Sequence, residues 1–361
     1  DDNPRFENPK LIRKSIIKNC KLKAKEIPER SKAIFTAINE REPNSIILIA
    51  GKGHESFQDY GYKKFRVSDQ KIVGKIFRKN KINHKYIWHK HLSRKVFKIK
   101  NPISFNSVSI NTKEISKGDI FFAFKGKKND GHNFVQDSLK KGAVAAVVES
   151  KMKIKKSRKI LKVKNVKKSL NDLSRCTRNI SDAQFIAITG SSGKTTTKNL
   201  IAYLLKNFGK VVKSPKSFNN FLGVPISISN IKDSTNYAVL ELGMSRKGEI
   251  HKLSKLVSPD VGLITNIGQA HLENFKNPKQ IARAKSELIG NINKKGFVIL
   301  NKEDEYFNFL KKRADQKKIK VVSFGLQKGD LFIQKIVKIK NHYQIKISVF
   351  NKKIIFKISS I

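Results

Sequence analysis

Cysteine is scarce: Cys20 and Cys176 are the only two in 361 residues, far apart and without metal-type spacing. That argues against a disulfide framework or a zinc site and suits a reducing, cytoplasmic location. No apolar run approaches the roughly 18 residues that a membrane-spanning helix needs. The opening Asp1-Asp2-Asn3-Pro4-Arg5 has neither the basic flank nor the apolar stretch of a signal peptide. Acidic residues are also few, 28 against 77 Lys and Arg, which leaves a formal net charge of +49. Such an excess suggests a polyanionic partner. The lysines, however, are spread through every segment and interleaved with Ile and Asn, as AT-rich coding would produce, so nucleic acid is not the expected partner. The charge still favours anionic substrates such as nucleotides and sugar diphosphates.

What is present is a chain long enough for two or three domains, each with its own core. Residues 1–80 read as helix (Leu11, Ile12, Ile16, Ile17), helix (Ala33, Ile34, Ala37, Ile38), then the apolar strand Ser45 to Ala50 running into Gly51-Lys52-Gly53-His54-Glu55. Residues 81–100 are basic and weakly periodic, a linker. Residues 101–182 form a small α/β unit, with strands expected at Gly118 to Phe124 and Ala143 to Val148 around the turn signal Asp130-Gly131-His132. From residue 183 to 361, strands expected at Phe185 to Thr189, Ala238 to Leu242, Val261 to Asn266 and Phe297 to Asn301 alternate with helices. The fold class is therefore α/β and multidomain, a mostly parallel sheet flanked by helices in the central domain plus smaller α/β domains. Tyr343 to Val349 and Lys353 to Ile358 alternate with period two and predict an antiparallel extension.

The strand Phe185 to Ile188 enters Thr189-Gly190-Ser191-Ser192-Gly193-Lys194-Thr195-Thr196, and a helix with Leu200, Ile201, Leu204 and Leu205 on one face follows. Strand, glycine loop and helix is the setting of a phosphate loop. Glycines turn backbone amides inward, the helix N-terminus favours negative charge, Lys194 can reach the terminal phosphates and the Thr195 hydroxyl can ligate magnesium. The loop is short, because Ile188 stands where the strict pattern has glycine. A magnesium nucleotide needs further oxygen ligands, usually a carboxylate at the end of a neighbouring strand. Glu241 is placed in that way, although by position alone a strand-end surface glutamate reads the same. His271 closes the Val261 segment and, alone, reads as an ordinary loop histidine.

Together the phosphate loop, Phe218-Asn219-Asn220 with Gly223-Val224-Pro225, Glu241-Leu242-Gly243-Met244, and Asn266 to Glu273 followed by Ala284-Lys285-Ser286-Glu287 resemble the central domain of the Mur ligases. These are ATP-dependent amide-bond ligases of bacterial peptidoglycan precursor synthesis. The nearest type is MurF, which joins D-alanyl-D-alanine to UDP-N-acetylmuramoyl-tripeptide. The resemblance implies ATP held by Gly190, Ser191, Ser192, Gly193, Lys194, Thr195, Thr196, Asn219 and Asn220. It implies two magnesium ions, one on Thr195 and Glu241 and a second on His271, with Lys285 carbamylated so that it can bridge metal. Lys194, Lys285 and His271 would be the catalytic set. Ser245 stands where asparagine is usual. Residues 101–182 resemble the UDP-sugar domain of the same type, implying substrate contacts from Ser109, Thr112, Asp130 and His132, with Lys113 replacing an arginine and losing its bidentate fork.

Residues 1–80 resemble instead the C-terminal domain of MurE, the ligase that adds the third peptide residue. Asn3 and Arg5 with Gly51 and Glu55 match the positions that hold meso-diaminopimelate there, an arginine fork for the distal carboxylate and a glutamate for the ammonium. Alone, Arg5 would pass as a surface loop arginine. The order implied is the tail of MurE, a linker, then the front of MurF, as in a piece of a MurE–MurF fusion. Two rivals remain: a nucleic-acid-stimulated P-loop ATPase, which added DNA or RNA would speed, and a nucleotide-binding scaffold that binds ATP without ligation.

Overall fold

The computed structural model describes residues 7–20, 24–40, 46–50, 57–59, 64–66, 68–69, 72–73, 93–99, 103–126, 129–154, 157–232, 234–269 and 273–359. The chain divides into two compact units, Asp1–Lys85 and Tyr86–Ile361.

In the first unit Asn8 caps the helix Pro9–Lys18, its side chain accepting from the Lys10 amide at 2.9 Å. The helix Arg30–Glu40 buries Ile34 and Ile38 against Ile47, Ile49, Ile72 and Val73. Arg30 makes a two-pronged ion pair with Asp69, at 2.7 and 2.8 Å. Strands β1 (Phe57–Asp59) and β2 (Lys64–Arg66) form a hairpin. The strand expected over Ser45 to Ala50 is corrected: among the described residues, 46–50 pair with no strand. Ile47 and Ile49 face one helix, while Ile46 and Leu48, 96% and 86% exposed, have nothing to cover them. One helix supplies one apolar face, so half of the alternating side chains stay wet.

The second unit holds two sheets. The smaller is all parallel, with β3 (Val108–Ser109), β4 (Ile120–Phe122), β5 (Ala145–Glu149) and β6 (Ile160–Val163) in sequence order. Ile120 and Phe122 face one core with the helix Val166–Ile180, and Phe121 faces another, so this short strand is buried on both sides. Residues 93–97, expected within a linker, are helical, and Val96, Phe97 and Ile99 pack on the small domain's core. Their apolar side chains carry them into that domain.

The larger sheet runs β15-β14-β13-β12-β11-β10-β7-β9-β8. Here β7 is Gln184–Thr189, β8 Val211–Lys213, β9 Tyr237–Glu241, β10 Val261–Ile264, β11 Phe297–Asn301 and β12 Lys320–Gly325. Pairing is parallel from β8 to β13 (Leu331–Ile339), and antiparallel where β14 (His342–Val349) and β15 (Lys352–Ser359) extend it. Both faces are apolar. Phe185, Ala187, Ala238 and Leu240 meet four helices, Gly223–Ser229, Glu249–Val257, Pro278–Ser286 and Phe307–Gln316. Ile186, Ile188, Val239 and Leu263 meet the helix Lys194–Leu205.

That helix turns a different face inward from the one expected. Lys198, Ile201, Ala202 and Leu205 lie toward the sheet, at i, i+3, i+4 and i+7, whereas Leu200 and Leu204 are exposed. The rotation follows from burying Lys198, whose ammonium finds a carboxylate at the end of β9. Among the described residues no helix is long and apolar enough to cross a membrane.

Candidate active site

After β7 the chain goes out to the sheet edge at β8, returns through β9, and reappears on the other side of β7 as β10. The reversal between β7 and β10 opens a crevice at the carboxyl ends of the strands, the usual ligand position in such sheets. A cavity of about 570 Å³ lies there, lined by Gly190, Gly193, Lys194, Thr195, Thr196, Asn219, Asn220, Phe221, Glu241, Gly243, Met244, Ser245, Glu249, Leu253 and Lys285.

The glycine loop is braced from the β10 side. The Ser191 amide donates to Asn266 O at 3.0 Å and the Ser192 amide to Asn266 Oδ1 at 2.9 Å. Asn266 Nδ2 donates to Ser192 Oγ, Thr265 Oγ1 to Ser192 O, and the Gly268 amide to Ser191 Oγ. Ser191 and Ser192 thus anchor the loop and do not line the cavity. Gly190 sits at φ 155°, and a Cβ there would fall 1.8 Å from Thr265 Oγ1. The helix that follows has no side-chain cap on its N-terminus, so its first amides and its dipole face the cavity. Lys194 Nζ donates to Gly190 O at 2.9 Å and Ser191 O at 3.3 Å. Burial lowers its pKa, with Glu241 opposing the shift.

Glu241, the last residue of β9, is 1% exposed and fully engaged. Its Oε2 accepts from Thr195 Oγ1 at 2.8 Å and lies 3.4 Å from Lys198 Nζ; its Oε1 accepts from Asn219 Nδ2 at 2.9 Å. The Glu241 amide donates to Ser214 Oγ. Lys285 enters from the opposite side on the helix Pro278–Ser286, with Nζ donating to Gly190 O at 2.8 Å. Burial, and secondarily the Lys194 charge, push its pKa down to about 7. Asn220 lines the cavity, while its Oδ1 caps the next helix by accepting from the Leu222 and Gly223 amides.

A second cavity, about 580 Å³, opens on the small domain between Ile110, Thr112, Lys113, Phe121, Phe124, Gly131, Phe134, Lys216 and Phe218, among others. Thr112 lines it; Ser109, Asp130 and His132 do not. Ser109 Oγ folds back on Asn111. Asp130 Oδ1 accepts from the His132 amide and sits 2.6 Å from His132 Nδ1, while His132 Nε2 accepts from the Glu149 amide. Both ring nitrogens therefore hold the turn. Asn3, Arg5, Gly51, Glu55 and His271 lie outside the described residues.

Residues not singled out in the sequence also build the site: Lys198, Ser214, Phe221, Glu249 and Thr265. Only Lys198 carried a signal, standing one helical turn after Lys194.

Residues 188–361 match the Mur ligase middle domain, and residues 104–188 match the catalytic domain of the Mur ligase family. The UDP-N-acetylmuramoyl-tripeptide–D-alanyl-D-alanine ligase of Rickettsia prowazekii is 40% identical over 210 residues, covering 58% of this chain and 46% of the relative. That of Buchnera aphidicola is 35% identical over 227 residues, 63% of this chain and 49% of the relative. The chain spans about half the length of these relatives. Among solved structures, MurF from Acinetobacter baumannii superposes with a TM-score of 0.66 at 29% identity, over 76% of this chain and 61% of that one. MurF from Thermotoga maritima, solved in complex with ADP, gives 0.62 at 31%, over 71% of this chain and 58% of that one.

Proposed function

Residues 104–361 belong to the Mur ligase family, and from that premise we propose that they bind ATP and a UDP-linked muramoyl-tripeptide and take part in joining the peptide to D-alanyl-D-alanine. Residues 183–361 would hold the nucleotide and residues 101–182 the sugar nucleotide. The observation that carries the reading is the convergence of an uncapped helix N-terminus, Lys194 and the Thr195–Glu241 pair on one cavity.

Each group has a task that follows from its chemistry. The helix amides and Lys194 suit the β- and γ-phosphates. The peptide carboxylate attacks the γ-phosphorus and ADP leaves; the amine nitrogen of D-alanyl-D-alanine then attacks the acyl carbon, and inorganic phosphate leaves as the nitrogen gives up its proton. Charge develops on the transferring phosphoryl group in the first step. Fixed cations and amides around it lower that barrier without reorganising.

Magnesium takes oxygen ligands, and the hydroxyl of Thr195 beside the carboxylate of Glu241 is a suitable pair. Bound there, the ion would neutralise phosphate charge. Among the described residues no three His, Cys, Asp or Glu side chains cluster, so the pair needs phosphate or water oxygens to complete a shell. Lys285 would add oxygens once its amine carries carbon dioxide, a reaction open only to the neutral amine.

The test is phosphate release from ATP on mixing with the UDP-linked tripeptide and D-alanyl-D-alanine, with the amide product followed by mass spectrometry. Release that is dependent on the tripeptide is expected. Release indifferent to it would speak for a simple nucleotidase.

A further inference from the structure

Segment 216–221 belongs to both cavities. Lys216 and Phe218 line the small-domain cavity, and Asn219, Asn220 and Phe221 line the phosphate cavity. The segment starts in an unfavourable backbone state, because Lys216 has φ 43°, where a side chain with a Cβ is strained. Such a state persists only when neighbours hold it.

The holding group is Lys198. Its side chain is 1% exposed, and its Nζ donates to Lys216 O at 2.5 Å while lying 3.4 Å from Glu241 Oε2. Lys198 itself lines neither cavity. A buried ammonium is tolerated only when paired and hydrogen-bonded. Here one partner is a carbonyl on the shared segment and the other is the carboxylate that Asn219, three residues further along, also contacts. The lysine therefore fixes both ends of the turn leading from one cavity to the other, while its own helix starts at the phosphate loop.

We propose that Lys198 is a positioning residue for both cavities: by pinning the Lys216 carbonyl it pre-organises the segment whose two halves contact the nucleotide on one side and the sugar nucleotide on the other. Pre-organisation raises affinity by removing an ordering cost that each ligand would otherwise bear. The inference rests on the proposed reading of the two cavities.

The experiment is calorimetric titration of the full chain with magnesium ADP and, separately, with UDP, for the wild type and Lys198→Met. Both affinities are expected to fall by about tenfold, although the substituted residue touches neither ligand. Loss of ADP affinity with UDP affinity unchanged would confine Lys198 to the phosphate site and overturn the proposal; so would no change in either. Lys198→Met leaves Glu241 without its cation and can compromise folding. The double variant Lys198→Met with Glu241→Gln leaves no unpaired charge and must still bind UDP more weakly, since the Lys216 carbonyl remains unheld.

A ligand-free arm separates this proposal from the ligase reading. The Phe218 and Asn219 amides, bonded to Pro215 O and Ser217 O at 2.9 and 2.7 Å, should exchange with deuterium at least about tenfold faster in Lys198→Met. Unchanged protection overturns the role of Lys198 even if nucleotide binds. Wild-type protein that binds neither ADP nor UDP while exchange accelerates leaves the pin standing and sinks the assignment of the cavities.

Discussion

Lys194 and Lys285 converge on one acceptor: the Gly190 carbonyl oxygen lies 2.9 Å from the first ammonium nitrogen and 2.8 Å from the second. Two cations this close repel, and the more buried one yields. Burial first and Lys194 second bring the pKa of Lys285 to about 7. Near neutral pH its amine is therefore about half deprotonated, where an ordinary lysine with a pKa of about 10.4 is almost wholly charged.

This pKa makes stability depend on pH in a defined direction. Between about pH 7 and pH 10 the unfolded chain binds a proton at Lys285 that the folded chain does not, so stability falls as pH falls through that window and levels off below it. Lys285→Met removes the titration. Its stability, read from thermal melting, should exceed that of the wild type most at or below pH 7, by on the order of a few kcal/mol, with the gap closing toward pH 10. A gap independent of pH would contradict the shifted pKa.

The same neutral amine should capture carbon dioxide, giving a carbamate and one proton. In 13C-bicarbonate near pH 7.5 a carbamate carbon resonance is expected in the wild type and should vanish in Lys285→Arg, whose guanidinium stays protonated. The neighbouring Lys194 supplies the cation that favours the anionic product. Raising carbon dioxide should increase the signal at constant pH.

The glycine loop, the strands around it and the strand-end position of Glu241 were legible because each depends on local pattern: apolar runs of strand length, a glycine turn, a carboxylate where an apolar run stops. Lys198 was not. A lysine among Leu200, Ile201, Leu204 and Leu205 reads as the polar side of an amphipathic helix, and only Glu241, 43 positions away, makes its burial possible. Asp130 and His132 failed in the opposite sense. Their motif is conspicuous, but their polar atoms bond to one another and to the Glu149 amide, a pairing that depends on how β5 packs beside the turn.

The Lys198–Glu241 pair also makes a stability prediction. Both side chains are buried, so Glu241→Gln strands an ammonium in a low-dielectric site and should destabilise the protein by about 3 kcal/mol. Lys198→Met should cost a similar amount by leaving the carboxylate uncompensated. The double substitution removes both charges and should cost less than the sum, read as a coupling energy from urea unfolding of the four proteins. Strict additivity would mean that Thr195 and Asn219 alone satisfy the carboxylate.

Gly243 faces Asn219 so closely that an added Cβ would lie 2.8 Å from Asn219 Cγ and 2.9 Å from its Oδ1. Its φ is not in the left-handed region, so the constraint is contact alone. Gly243→Ala must therefore push the Asn219 side chain away from Glu241, breaking the 2.9 Å hydrogen bond, at about 2 kcal/mol of overpacking. The nearest atoms all belong to the Asn219 side chain beyond Cβ, so Asn219→Ala clears the space. In that background Gly243→Ala should be nearly neutral, a non-additivity that chemical denaturation can measure directly. If Gly243→Ala costs as much in the Asn219→Ala background as in the wild type, the added methyl meets something other than Asn219, and the carboxamide is not what glycine at position 243 makes room for.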